Sequence, residues 1–305
     1  MKWCVLITTY NRCQLLKRAI NSAIKQTLPC EIVVIDDAST DETGNYLRSL
    51  GNNIKFHSND RNLGHSASVN RGVQLADADW IKMLDDDDYL AANCLEIMDT
   101  MVLAYPQVVI CSVKAIQMDE NGRKCGKTPS VGSQKITHIP QSKIHYQMLI
   151  ERLPFGTPVQ VGFRKDAFLN AGGWDSQLDL HYDDIDSWLR IAQFGDALFI
   201  NQYLAYRYVW PGGYNKQLPI KQRLAINWLI KQRLYSLIDD QCYTDLPSLC
   251  DLHNYLQLYW ALIAFKQLEL FTFYELIFPA ILSIQAWRLL FNALFIPKSF
   301  KINLL

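Results

Sequence analysis

Apolar and polar positions alternate in blocks along the N-terminal part of the chain. Trp3-Cys4-Val5-Leu6-Ile7 is a run of strand formers that stops at Thr8-Thr9-Tyr10-Asn11-Arg12. Leu15, Leu16, Ala19, Ile20, Ala23 and Ile24 then recur at helical spacing. Glu31-Ile32-Val33-Val34-Ile35 predicts a second strand, ending at Asp36-Asp37, with Ser39 or Thr40 placed to cap a helix from near Asp41. A third strand is predicted around Asn53 to His57 and a helix from Ser66 to Leu75. A fourth strand, Trp80-Ile81-Lys82-Met83-Leu84, runs directly into Asp85-Asp86-Asp87-Asp88. Strands apolar on both faces and alternating with helices predict a mostly parallel open sheet flanked by helices, an α/β fold. Ligands bind such sheets at the carboxyl edge of the strands, where the polar residues gather here.

The pattern weakens afterwards. Val108-Val109-Ile110-Cys111 and Val159 to Phe163 read as strands, with a turn near Asn121-Gly122. Ile144 to Leu149, Lys165 to Ala171 and Ile185 to Phe194 read as helices; Gly172-Gly173 and Gly195 end the last two. After Pro219 long amphipathic helices are expected near Ile220–Ile238 and Leu246–Leu270. Phe271 to Phe295 is dense in Leu, Ile, Phe and Trp. Its charge-free run between Glu275 and Arg288 is shorter than the roughly 20 residues a spanning helix needs. Two arrangements fit it: packing on the rest of the protein, or lying on a membrane surface with Arg288, Lys298 and Lys301 beside the lipid. The division expected is 1–218 as the catalytic domain and 219–305 as a helical extension for acceptor, membrane-surface or oligomer contacts.

With 305 residues, half of them apolar, the chain can bury a full core. Its 30 basic and 30 acidic residues cancel, which excludes a chain-wide attraction to nucleic acid. The eight cysteines form no C-x-x-C pair, arguing against a zinc cluster or a disulfide framework. No long apolar segment precedes the first strand, so a reduced, cytoplasmic protein is expected, free or peripheral at the inner face of the cell membrane.

Four consecutive aspartates raise one another's pKa and oppose folding. A solvated loop tolerates that cost; a divalent cation removes it. Mg²⁺ and Mn²⁺ favour hard oxygen ligands drawn from carboxylates and substrate phosphates. The chain has no Gly-x-x-x-x-Gly-Lys-Ser/Thr loop and no Gly-x-Gly-x-x-Gly turn after the first strand. A metal-dependent phosphotransferase that forms an aspartyl-phosphate would also place aspartates after a strand. It leaves Asp36-Asp37 and the later cluster His181-Tyr182-Asp183-Asp184 without a role.

Four segments together, from Val5 to Asp88, resemble the family 2 glycosyltransferases with the GT-A fold. They are Val5–Arg12, Val34–Asp41, Asn62-Leu63-Gly64 with Asn70-Arg71-Gly72, and Leu84–Asp88, in the family's order. The resemblance implies a metal-dependent, inverting hexosyl- or N-acetylhexosaminyl-transferase acting in surface polysaccharide or glycolipid synthesis. Its donor would be a nucleoside-diphosphate sugar, a UDP-sugar first among them, and its acceptor a saccharide or lipid-linked saccharide.

The implied roles map onto particular residues. Thr9, Tyr10, Arg12, Asp37, Asp85 and Asp86 would hold the nucleotide, and Asp87, with Asp85 and Asp88, would ligate Mn²⁺ or Mg²⁺. Asp184 matches the family's general base, and Asp183 stands where relatives carry Glu. Gly172-Gly173-Trp174-Asp175 matches a further stretch, in which Trp174 would stack on an acceptor sugar or pack the loop. Arg164 and Arg190 have two readings, phosphate contact or a structural ion pair. Two departures stand out: Val69 replaces an Arg, and Tyr206-Arg207-Tyr208-Val209-Trp210 lacks a late His. The metal would then rely more on aspartates, water and phosphates. A non-catalytic nucleotide-sugar-binding or scaffold protein on the same fold is the rival class.

Overall fold

The computed structural model describes residues 1–179, 182–210, 218–238 and 246–295. His181, Cys242, Lys298 and Lys301 lie outside them. The chain divides into two compact units, residues 1–141 with 155–211, and residues 142–154 with 212–305. The second unit therefore also takes in residues 142–154, ahead of the C-terminal helices.

The first unit is built on β1 (Trp3–Thr9), β2 (Glu31–Asp36), β3 (Lys55–Ser58) and β4 (Trp80–Asp85), in the order β3-β2-β1-β4 and all parallel. One face of β1 presents Trp3, Val5 and Ile7. They join a core with Leu16, Ala19, Ile20 and Ala23 of α1 (Cys13–Ile24) and Leu95, Met98 and Val102 of α4 (Cys94–Ala104). The opposite face meets α3 (His65–Leu75). A methyl group on Gly72 would stand 2.2 Å from Leu6 Cδ1 and 3.1 Å from Ile35 Cγ1. Glycine there lets α3 lie directly on the sheet, at the entropic cost glycine carries inside a helix.

Beyond β4 the sheet becomes mixed. β9 (Val161–Arg164) runs antiparallel to both β4 and β6 (Val108–Met118), and β10 (Asp196–Tyr208) is parallel to β6. Three short strands complete it: β5 (Tyr89–Leu90), β7 (Lys124–Lys127) and β8 (Ile136–Ile139). Lys82 fastens the junction. Its fully buried ammonium donates to the carbonyls of Met83 at 2.7 Å and Val159 at 2.6 Å, and burial lowers its pKa to about 8.

The expected cap near Asp41 is not formed. Helix α2 starts later, at Thr43 (Thr43–Ser49), and its N-cap residue makes no side-chain cap. Ser39 and Thr40 are used instead by Asn11. The Asn11 N–H donates to Ser39 Oγ at 2.8 Å, and its side-chain oxygen accepts from Thr40 N at 2.7 Å. Asn11 has φ +53°, a left-handed conformation Asn tolerates better than most residues. It stitches the loop after β1 to the loop after β2, two of the loops at the carboxyl edge.

In the second unit α5 (Gln141–Leu149) contributes its residues from Ser142 on. They join α8 (Ile220–Ser236), α9 (Leu249–Lys266), α10 (Leu270–Ala280) and α11 (Ile284–Phe295). Trp260, Leu256, Leu276 and Leu290 centre its core. Arg223, 3% exposed, lies 4.4 Å over the Trp260 ring, and Lys231 faces Glu151 at 3.1 Å. No helix among the described residues is long and apolar enough to cross a membrane.

Candidate active site

Parallel pairing of β1 with β4 sets Thr8 opposite Asp85, so Thr9, the last residue of β1, lies beside Asp86, just past β4. Thr9 Oγ1 donates to Asp86 Oδ2 at 2.8 Å. Arg12 Nη1 reaches Asp86 at 3.2 Å and Asp87 at 3.3 Å. Arg18 donates to the Asp87 carbonyl oxygen. The Trp210 indole N–H, just past β10, donates to Asp87 Oδ2 at 2.7 Å, and the Tyr208 N–H donates to Asp88 Oδ1 at 2.6 Å.

Burial, followed by the mutual repulsion of the run, raises these carboxyls. Asp86 is pushed up to about 6, Asp87 is raised, and Asp88 is raised well above the carboxylate range. Oxygens of Asp85, Asp87 and Asp88 lie within 4.8 Å of one another, and Asp85 Oδ1 is buried without a hydrogen bond. An all-oxygen donor set with an unsatisfied member fits a hard divalent cation.

Asp37 serves the neighbouring loop. Oδ1 accepts from Asn59 Nδ2 at 2.7 Å and Leu63 N at 2.8 Å, and Oδ2 accepts from Gly64 N at 2.9 Å. Gly64 has φ +92°, and a Cβ there would stand 2.1 Å from the Asp179 carboxylate. That carboxylate accepts from His65 N at 3.2 Å and Ser66 N at 2.7 Å, closing the N-terminus of α3. Tyr10 is 46% exposed beside this loop cluster.

Helix α7 (Asp183–Ile191) begins with three acids in its first turn, at the positive end of its dipole. Asp183 is held by Ser66 Oγ at 3.2 Å, with His65 Nδ1 at 3.6 Å. His65 Nε2 lies 3.6 Å from Asp85, so one imidazole joins the aspartate run to α7. Burial alone would depress its pKa, but Asp183 and Asp85 together raise it well above the usual value. Asp184 accepts only its own helix's Ile185 N–H, at 2.7 Å, among the described contacts. Burial, then Asp183, raises it to about 7; Asp85 adds to this and Arg207 opposes it.

Trp174 does not offer a face for stacking. It is 3% exposed, edge-on to His65 at 5.1 Å and to Trp188 at 5.8 Å. Asn70 pins it, accepting from Trp174 N at 2.8 Å and donating to Trp174 O at 2.9 Å. These contacts are those of the loop-packing alternative. Arg190 pairs with Asp186 at 2.7 Å and Arg164 with Asp166, the ion-pair alternative for both. His65, Asp179, Arg18 and Trp210 were not among the expected site residues. His65 follows directly on Asn62-Leu63-Gly64, and that adjacency was the one available signal.

The glycosyl transferase family 2 profile matches residues 4–171. The amylovoran biosynthesis glycosyltransferase AmsE of Erwinia amylovora is 27% identical over 199 residues, 63% of this chain and 70% of that protein. The uncharacterized glycosyltransferase MG060 of Mycoplasma genitalium is 31% identical over 106 residues, 32% of this chain; the match spans 36% of that protein's length. Among solved structures, S. aureus TarS 1–349 in complex with UDP-GlcNAc aligns over 96% of this chain and 79% of its own, at TM-score 0.62 and 17% identity. The mannosyltransferase PcManGT from Pyrobaculum calidifontis, in complex with GDP-Man and Mn²⁺, aligns over 97% and 81%, at TM-score 0.57 and 18% identity. At these identities the likeness is one of fold.

Proposed function

The chain belongs to glycosyl transferase family 2, with its GT-A fold, and we propose that it moves a sugar from a nucleoside-diphosphate sugar to an acceptor hydroxyl with inversion. The observation that carries this is Asp184. Burial raises its carboxyl pKa to about 7, its side chain is bonded only within its own helix among the described residues, and it lies close enough to the aspartate run to feel Asp85. A base tuned near working pH is what removal of a hydroxyl proton calls for. Asp184 takes the proton as the acceptor oxygen bonds to the anomeric carbon, and the bond from that carbon to the diphosphate oxygen breaks. Asp183, tied to Ser66 and His65, fixes the helix end that presents Asp184.

Thr9, Tyr10, Arg12, Asp37, Asp85 and Asp86 line the nucleotide side. Arg12 offers a guanidinium already shared by Asp86 and Asp87, able to turn to a phosphate. Asp85, Asp87 and Asp88 would hold Mn²⁺ or Mg²⁺, which supplies charge neutralisation for the departing diphosphate. The relatives' names support the same direction: one acts in amylovoran biosynthesis, and the solved neighbours hold UDP-GlcNAc, or GDP-Man with Mn²⁺. On that basis the acceptor is a saccharide or lipid-linked saccharide and the donor a UDP-sugar. Residues 1–218 would be the catalytic domain and the remainder the part that meets acceptor or membrane.

The test is a panel of nucleotide sugars with Mn²⁺, following release of nucleoside diphosphate and capture of the sugar by saccharide acceptors. Turnover with one donor, lost in Asp184→Asn with donor binding kept, is expected. Donor binding without turnover in the wild type would instead assign the non-catalytic class.

A further inference from the structure

Two features of the second unit have no part in the transfer step. One is an apolar surface. Leu268, Phe271, Phe278, Leu282 and Ile284 are between 80% and 88% exposed. Phe271 and Phe278 lie two turns apart on one side of α10, while Trp287 and Phe291, one turn apart on α11, add aromatic surface. Soluble proteins rarely leave so many large apolar side chains together in water.

The other feature is a cavity of about 390 Å³ lined by Arg152, Ser248, Asp251, Gln285, Arg288 and Asn292. Neither arginine is in an ion pair among the described residues. Of the acids nearby, Asp251 lines the same cavity, and the other two face lysines. Asp251 accepts from Ser248 Oγ at 2.6 Å, Glu151 faces Lys231, and Glu275 faces Lys221 at 2.7 Å. Both arginines are solvent-exposed and so open to an anion, and their planar forks match phosphate oxygens. The features meet on α11, where Arg288 follows Trp287 and Asn292 follows Phe291. Beyond Glu275 the sequence carries Arg288, Lys298 and Lys301 and no acid.

We propose that this unit docks on an anionic bilayer, its α10–α11 apolar face entering the lipid and its arginine-lined cavity holding a lipid headgroup phosphate. Aromatic residues on one side of a helix with cations alongside are the composition of interfacial helices. The inference deepens the acceptor reading above, resting on it only for the idea that the acceptor is lipid-linked.

Co-sedimentation with vesicles of phosphatidylcholine, with and without phosphatidic acid, tests it on the full chain. Wild type is expected to bind the anionic vesicles about tenfold more tightly than the neutral ones. Arg152→Gln with Arg288→Gln should bring anionic binding down to the neutral level, and Phe271→Ser with Phe278→Ser should abolish both. Thermal melts of each variant check that it folds. Equal binding to both vesicles, or no effect of the arginine pair, overturns the proposal. So does concentration-dependent self-association that the phenylalanine pair removes, with no vesicle binding, because a second copy then covers the face. Stabilisation by inorganic phosphate through these arginines, again without vesicle binding, points to a free anion and overturns it too. Nucleotide-sugar turnover measured on the same samples separates the two readings: turnover without vesicle binding sinks only the docking, and vesicle binding without turnover sinks only the transferase reading.

Discussion

Replacing Asp184 by Asn should make the protein more stable and less active, with the gain in stability confined to higher pH. The Asn side-chain oxygen keeps the 2.7 Å bond from Ile185 N, so the helix end is undisturbed. What goes is a carboxyl held at about 7, chiefly by burial and next by Asp183. An unfolded Asp titrates near about 4. Below that value both states are protonated and Asp184's favourable contribution to folding is fully present. As pH rises through about 7 that contribution is lost, and above it the cost of an ionised Asp184 is complete. At about 1.4 kcal/mol per tenfold in proton affinity the bound is about 4 kcal/mol. Relaxation of the site lowers the figure, so about 1–2 kcal/mol is expected. For a unit of this size that is a rise in Tm of about 2–8 °C near pH 8 and almost none near pH 4. Turnover should fall by about 10²–10⁴, the range for a lost general base. Wild-type rates should rise with pH towards a plateau, with a midpoint no higher than about 7, because a bound cation lowers the Asp184 pKa. Melts of both proteins at the two pH values, with rates alongside, are the assay. Equal Tm differences at both pH values, or a variant active within about tenfold of wild type, would refute the reasoning.

Other substitutions probe the supports of the site. Gly72→Ala forces a methyl against Leu6 and Ile35; overpacking less the gain in helix propensity should cost about 1–2 kcal/mol, read from chemical denaturation. Asn70→Ala removes both bonds to the Trp174 backbone and should cost about 1–3 kcal/mol, with a larger fractional loss of turnover than of donor binding. In metal-free protein, His65→Gln should lose stability relative to wild type. His65's raised pKa makes its contribution full below about 6.5 and lost as pH rises through the folded-state value, so the two melts should converge at alkaline pH.

Strands β1, β2 and β4 were legible because both faces of each are covered, leaving near-continuous apolar runs such as Val33-Val34-Ile35, whereas β3 is a part-exposed edge strand. The aspartate run was legible for the related reason that its polarity begins where β4 ends. Later strands were less so. β10 pairs with three partners through register shifts, and β9 is only four residues long, so neither writes a clean period. Of the site, the acids could be found from their loops, but their partners could not. Trp210 meets Asp87 across 123 residues and Asp179 meets Ser66 across 113, separations on which local spacing is silent. Trp174 had two readings, an acceptor platform or loop packing, between which the sequence could not choose. Only the packing of His65 and Trp188 around it favours the second. The Ser39/Thr40 cap failed because Asn11, from a different loop, claimed both residues.

The account turns on the aspartate run holding a cation together with a nucleotide sugar, and thermal stabilisation tests this without needing the acceptor. Wild type and Asp87→Asn are melted with each nucleotide sugar, with and without Mn²⁺. Wild type should gain Tm only when donor and metal are both present, and Asp87→Asn should lose most of that gain while melting normally alone. Equal stabilisation of the two proteins, or stabilisation indifferent to the metal, would contradict the assignment of this site.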